Sequence, residues 1–342
     1  MRLRGCRRRT AVRDFTYLRP RSTDEAVQLL ARHQPGARYF AGGTTLYDLM
    51  KLGVEAPATV VDITGIDGLR GIDTSDRREL RIGALAPMSE VAENAVLKAE
   101  FPALSESLWK AASQQLRNMA TVGGNLLQRT RCAYFRGGPE YACNKRTPGS
   151  GCAALAGQNR GHALLGGSEA CVAVYPGDWA VALAAFDAEV DTIGPRGART
   201  VPVAELHRAP GATPHLETVL AAGELIVRIR VPRVPAGRAS TYHKIRDRES
   251  YAFALASAAV GLQIEGNRVL DARIALGGVA TTPWRAGEAE RSLLGQPLTR
   301  STARRAAELA FAGAKPLEHN GFKVALGIET VTDALMLAKD RN

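Results

Sequence analysis

Residues 38–63 read RYFAGGTTLYDLMKLGVEAPATVVDI, and this stretch decides the fold. Arg38 to Ala41 reads as a short strand and runs into Gly42-Gly43-Thr44-Thr45. Leu46 to Leu52 then carries a helical pattern, closed by Gly53, a residue that adopts the left-handed conformation of a helix end without steric cost. Ala58 to Ile63 is apolar and β-branched and reads as a buried strand. The unit is therefore β–turn–α–β, with a glycine turn at the head of its helix. Just upstream, Ser22-Thr-Asp-Glu25 predicts a capping box, with Glu25 reaching back to the cap, ahead of the apolar face Ala26, Val27, Leu29 and Leu30.

Working outward, Leu80 to Leu85 reads as a strand, and helical patterns follow at about 88–98 and 101–113. Thr121-Val122-Gly123-Gly124-Asn125 is a second glycine doublet. Regular periodicity then stops over about 126–172, a stretch rich in Gly, Arg and Cys. A structureless segment of that length inside a compact domain is functional or tied down. A helix near 178–186 and strands near 188–194, 199–203 and 224–231 follow. Pro232 to Gly237 reads as a linker. Beyond it come strands at about 240–246, 251–265 and 268–280, the last two joined by Gly266-Asn267, and helices near 285–294, 299–314 and 321–339. The pattern predicts an α+β chain: a basic, disordered tail over 1–13, a domain over 14–233, and an antiparallel sheet backed by helices over 238–342.

The chain has 342 residues, of which 45% are hydrophobic and 23% charged, ordinary values for folded domains. No apolar run is long enough to span a bilayer. The net charge is +11, but eight arginines against Asp14 fall within residues 1–21, which leaves the body close to neutral. That argues against nucleic-acid binding, which needs a basic face. No apolar segment follows the arginines, so a Sec or twin-arginine signal is not expected. Of the five cysteines, Cys6 lies in the tail and Cys132, Cys143, Cys152 and Cys171 fall within forty residues. One dense group in a large protein points to a metal site rather than a disulfide framework.

Two glycine doublets let backbone amides converge on an anion, because no Cβ blocks the approach, and together they could hold one diphosphate. Neither a Gly-x-Gly-x-x-Gly nor a P-loop motif is present. Four thiolates are the ligand set of an iron–sulfur cluster or of structural zinc, and the spacing fits neither usual signature. Six basic groups in 126–172 (Arg129, Arg131, Arg136, Lys145, Arg146, Arg160) against Glu140 and Glu169 suit an anionic cluster, although a solvated loop is the commoner cause of such charges. Lys244, Arg246 and Arg248 alternate onto one face, which could meet an anion or water. Asp178, after Pro176-Gly177, reads as a helix cap. The six histidines form no metal pair, and Gly149-Ser150-Gly151 lacks the nucleophile-elbow pattern.

Longer stretches carry a resemblance. FAGGTTLYDLMK (40–51), QLRNMATVGGNLLQRTRCAYFR (115–136), CNKRTPGSGCAAL (143–155), YPGDWAVALAAFDAEV (175–190), GELIVRIRVP (223–232), KIRDRESYAFALASAAV (244–260) and ALGGVATTPWRA (275–286) resemble the FAD-binding medium subunit of the xanthine dehydrogenase/aldehyde oxidoreductase family of molybdenum hydroxylases. The match is strongest to flavin subunits of bacterial periplasmic aldehyde oxidoreductases. It implies a vanillyl-alcohol-oxidase-type FAD domain of two subdomains, followed by a C-terminal domain of the CO dehydrogenase flavoprotein type. Tyr39, Phe40, Ala41, Gly42, Gly43, Thr44, Thr45 and Leu46, with Thr121, Val122, Gly123, Gly124 and Asn125, match the stretches that hold the FAD diphosphate. Asp178, Ile226 and Lys244 match further flavin contacts, which overrides the cap and surface readings.

Cys132, Cys143, Cys152 and Cys171 match the insertion that binds a [4Fe–4S] cluster in this subgroup. The glycine turns and the cysteine loop are expected to be structurally separate. The resemblance further implies a molybdopterin large subunit, a [2Fe–2S] small subunit and an external electron acceptor, in a heterotrimer. Such a chain works in the cytoplasm, or in the periplasm when exported with a signal-bearing partner. The competing expectations are a stand-alone flavoprotein of the same fold and a zinc-stabilised, non-redox binding module.

Overall fold

The computed structural model describes residues 12–342, so most of the expected basic tail, including Cys6, lies outside the described residues. The opening unit contains β1 (Thr16–Leu18), α1 (Thr23–Arg32), β2 (Ala37–Phe40), α2 (Leu46–Lys51) and β3 (Thr59–Asp62). Its three strands form a parallel sheet in the order β1-β3-β2, with Tyr39 opposite Val61. This is the expected β–turn–α–β crossover. Ser22 Oγ accepts the Glu25 amide at 3.2 Å, but the Glu25 carboxylate takes the amide of Arg21, one residue before the expected one.

The second unit follows with β4 (Ile72–Asp73), β5 (Glu79–Gly83), α3 (Met88–Glu93), α4 (Ala95–Glu100), α5 (Pro102–Trp109), α6 (Gln114–Met119), α7 (Val122–Leu126), α8 (Ala133–Arg136), α9 (Asp178–Ala185), β6 (Glu189–Gly194), β7 (Gly197–Pro202), α10 (Val203–Leu206) and β8 (Leu225–Pro232). Its antiparallel sheet has the order β4-β5-β8-β6-β7. The helices pack on this sheet around α9, which is buried along its whole length. The helical pattern of 88–98 is two helices. Asn94 turns extended between them, and its side chain caps α4 by accepting the Leu97 amide at 3.1 Å. The pattern of 101–113 stops at Trp109, and Ala112 takes a left-handed conformation (φ 49°) before Ser113 caps α6.

The third unit contains β9 (Ala239–Ile245), β10 (Ala256–Glu265), β11 (Arg268–Gly277), β12 (Trp284–Arg285), α11 (Gly287–Leu293), α12 (Arg300–Ala310) and α13 (Phe322–Lys339). Its sheet is antiparallel, β12-β11-β10-β9, and the helices cover one face around a second apolar core. Gly266 makes the β10–β11 turn at φ 59°. The strand expected from residue 251 begins only at Ala256, because 246–255 is a loop in which Tyr251 is left-handed (φ 54°).

The expected linker is not a solvent-exposed connection. Pro235–Gly237 is a 3₁₀ turn whose Ala236 and Gly237 are buried, and a Cβ on Gly237 would fall 2.6 Å from the Phe101 ring. Strand β9 is bonded into α5 as well: the Ala103 amide donates to Ser240 Oγ (3.1 Å), and the Tyr242 amide donates to Glu106 (2.9 Å). The architecture is α+β throughout.

Candidate functional site

A cavity of about 980 Å³ opens where the three units meet, and both glycine turns line it. Of the first predicted stretch, Tyr39, Ala41, Gly42, Gly43, Thr44, Thr45 and Leu46 reach the wall; of the second, Thr121, Gly123, Gly124 and Asn125. Asp178, Ile226 and Lys244 line the same space. Phe40 and Val122 do not. The Phe40 ring sits against Gly43, where it would meet an added Cβ, and Val122 is core.

The two turns play different parts. Among the described residues, no acceptor is paired with the amides of Gly42, Gly43, Thr44 or Thr45. Gly43 is left-handed (φ 72°). These four donors at the head of α2 suit an anion. The amides of the second turn are committed: Val122 donates to Ala86 (3.0 Å), Gly123 to Ala84 (2.9 Å), Gly124 to Thr121 Oγ1 (3.3 Å) and Asn125 to the Thr121 carbonyl (2.8 Å). Gly123 has no room for a side chain because its Cβ would fall 2.7 Å from that of Ala84, and a Cβ on Gly42 would collide with the Met119 carbonyl. The second turn thus shapes the cavity by close packing. It offers a ligand Asn125, whose Oδ1 is buried without a partner.

Asp178 occupies the first turn of α9, but its side chain makes no capping bond. It instead accepts from Lys244 Nζ (2.8 Å) and from the Tyr242 hydroxyl (2.6 Å). Lys244 also donates to the Lys110 carbonyl (2.9 Å). Beyond Lys244, the basic face splits: Arg246 turns back to the Lys110 carbonyl, and Arg248 to the carbonyl of Tyr251. Glu224, at another part of the wall, is largely buried. Burial alone would raise its pKa, but hydrogen bonds from Arg199, Thr192 and the Ala221 amide hold it down at about 2.

The sequence pattern contained no signal for several wall residues. Ala111, Ala112, Tyr251 and Phe253 line the cavity, and two of them, Ala112 and Tyr251, are left-handed without being glycine. Such strain collects at functional sites. Arg129 and Arg131, read beforehand as part of the loop's charge, also reach the wall.

Cys132, Cys143, Cys152 and Cys171 converge on one small pocket. Cys143 and Cys152 are partners in an antiparallel bridge, and Cys171 pairs likewise with Ser168. All four are free thiols. His162 Nε2 lies 3.3 Å from Cys132 Sγ. Burial pushes the Cys132 thiol up to about 11 and raises that of Cys171. Among the described residues, no three His, Cys, Asp or Glu side chains are close enough to hold a single metal ion.

The loop and the glycine turn are not separate. Phe135 packs with Leu49 of α2 and with Cys143, and Asp48 of α2 pairs with Arg131 (3.2 Å) and with Arg136. The helix headed by the first glycine turn is therefore the floor on which the cysteine loop rests.

The cavity, of about 980 Å³, presents unpaired backbone amides that suit an anion. Residues 13–234 match the FAD binding domain in molybdopterin dehydrogenase, and residues 240–333 match the CO dehydrogenase flavoprotein C-terminal domain. The chain belongs to the FAD-binding subunits of the molybdenum hydroxylase family, which are oxidoreductases. It is 46% identical over 326 residues to the aldehyde oxidoreductase FAD-binding subunit PaoB of Escherichia coli strain K12, an alignment covering 95% of this chain and 98% of that one. It is 30% identical over 329 residues to the carbon monoxide dehydrogenase medium chain of Hydrogenophaga pseudoflava, covering 95% and 96%. A chain of the reconstituted CO dehydrogenase from Oligotropha carboxidovorans has a TM-score of 0.77 at 27% identity, over 97% of this chain and 100% of that one.

Proposed function

We propose that the chain is the FAD and [4Fe–4S] electron-transfer subunit of a heteromeric, molybdenum-dependent aldehyde oxidoreductase. Its partners are a molybdopterin-binding large subunit and a small subunit with [2Fe–2S] clusters, in a heterotrimer. Electrons arrive from the small subunit and leave to an external acceptor. The observation that carries the reading is the single cavity in which the Gly42–Thr45 amides, Asn125 and the Asp178–Lys244 pair all converge. The likeness to PaoB supports aldehyde as the substrate class.

FAD, when bound, supplies the exchange between one- and two-electron chemistry, being stable with zero, one or two added electrons. The chain's own part is to bind and to orient. The free amides of Gly42 to Thr45 would hold the diphosphate, flanked by Tyr39, Ala41, Leu46 and Thr121, over the packed Gly123 and Gly124. Asn125 Oδ1, buried and unpartnered, would accept from a hydroxyl of the cofactor. Asp178, Ile226 and Lys244 would line the remaining wall, with Lys244 fixed by Asp178 so that its charge does not wander. Cys132, Cys143, Cys152 and Cys171 would hold the cluster. Their common pocket supports this, and a cluster of several irons spaces its thiolates more widely than one ion does.

Purification with whatever subunits accompany the chain, followed by flavin, iron and molybdenum analysis, tests the proposal. One FAD and four extra irons on this chain, with molybdenum on a partner, is the expected result. A flavoprotein that purifies alone and turns over by itself, or a colourless chain holding one zinc, would refute it.

A further inference from the structure

Most of the charged side chains lining the cavity have partners. Arg38 and Arg129 share Glu55, and Arg129 shares Glu217 (2.5 Å) with Lys145 (2.8 Å). Lys244 has Asp178, while Glu224 and Asp247 are taken by Arg199 and Arg160. Arg248 is engaged at an exposed position by the Tyr251 carbonyl. Among the charged residues of the wall, Arg131 is set apart by a buried nitrogen that has no partner. It shares the single carboxylate of Asp48 with Arg136, so two guanidinium groups face one negative charge. Its Nε is buried and has no hydrogen-bond partner. Its guanidinium lies 4.7 Å over the ring of Phe253, another wall residue, which holds the group in place at the cavity. A buried donor on an incompletely neutralised cation is costly unless a ligand satisfies it.

We infer that Arg131, supplied by the cysteine loop, is a ligand of the bound FAD, its Nε–H and its surplus charge answering the anionic dinucleotide. Arg131 immediately precedes Cys132, so the residue that completes the flavin site is bonded to a residue of the thiol pocket. Order in that loop then sets flavin affinity, whether or not the thiols hold iron. The inference rests on FAD occupying this cavity and not on the cluster.

The test is a titration of the deflavinated full-length chain with FAD, followed by flavin fluorescence at low and high salt. Wild-type chain that fails to bind FAD would refute the flavin site itself. Given wild-type binding, R131M is expected to raise the Kd at least tenfold and to shrink its salt dependence, without changing the melting temperature of the deflavinated chain. R131K, which keeps the charge and lacks Nε–H, is expected to fall between the two. An unchanged Kd in R131M overturns the inference. So does a loss of affinity that comes with a matching loss of thermal stability and is not recovered in R131K, because that is a structural role. Should R131M not fold, R131K decides: weaker binding supports the inference, and wild-type affinity overturns it.

Discussion

Lys244 Nζ lies 2.8 Å from Asp178 Oδ2 in the wall of the large cavity, with only 1% and 6% of the two side chains exposed. The contact joins β9 of the C-terminal unit to α9 at the centre of the flavin unit, and Tyr242 and Ser257 extend it. Breaking a buried ion pair by removing one partner leaves an unpaired charge and costs about 3–5 kcal/mol. Asp178→Asn and Lys244→Met should each destabilise the chain by that order. The double variant should be markedly less destabilised than the two losses combined, because no charge is then stranded. Urea denaturation of the four proteins in one cycle checks this. Additive losses would show that the two residues do not act on each other.

The glycine positions should separate by what a Cβ would meet. At Gly42 it collides with the Met119 carbonyl, which is backbone and cannot swing away. At Gly43 it strains a left-handed residue and meets the Phe40 ring. At Gly124 the one neighbour within 4 Å is Thr121 Oγ1 (2.9 Å), a side-chain atom. FAD content should therefore fall in the order Gly42→Ala most, Gly43→Ala next and Gly124→Ala least, read as flavin absorbance per chain. A bulkier residue at Gly124, reaching into the cavity it lines, should deplete FAD more than alanine does. Equal occupancy in all of these variants would contradict a diphosphate cradle at the first turn.

Much of this was legible beforehand, for reasons that can be named. The β2–α2–β3 crossover was readable because its apolar runs, its glycine turn and the closing Gly53 all agree locally. The β10–β11 hairpin was readable from Gly266-Asn267 between two apolar runs. What pattern could not supply was pairing at a distance. Asp178 looked like a cap because the capping signal is local, whereas its partners Tyr242 and Lys244 lie 64 and 66 residues away. The Pro-containing 232–237 looked like a linker because the burial of Gly237 depends on Phe101, more than a hundred residues away. The second doublet looked like an anion cradle because glycine permits both that and close packing, and only the positions of Ala84 and Ala86 decide between them.

The cysteine loop should affect both cofactors. Replacing Cys143 or Cys152 with Ser is expected to abolish iron binding. It is also expected to lower FAD content without abolishing it, because Phe135, Arg131 and Arg136 of the loop rest on α2. This differs from the expectation of two separate sites, under which flavin would be untouched. Iron and flavin per chain, measured on the same preparations, decide. Full FAD with no iron would show that the loop's fold does not depend on its thiols.

Lys323 gives a pH signature. Its side chain is fully buried, and Nζ donates to the carbonyls of His162 (3.0 Å) and Gly278 (2.6 Å), with no carboxylate partner among the described residues. Burial, with a smaller push from Arg160, lowers its pKa from 10.5 to about 8. The folded chain therefore releases this proton near pH 8, while the unfolded chain keeps it until about 10.5. Between those values the unfolded state binds more protons, so this lysine makes stability rise with pH. Below pH 8 its buried charge weighs against the fold by about 3–4 kcal/mol, taking roughly 1.4 kcal/mol per pH unit of displacement. Lys323→Met removes the effect. The stability of wild type relative to K323M should climb between pH 8 and 10.5 and be flat from pH 6 to 7.5, measured by urea denaturation at each pH. A difference that falls over the upper window would mean that the ammonium is better satisfied inside the fold than in water.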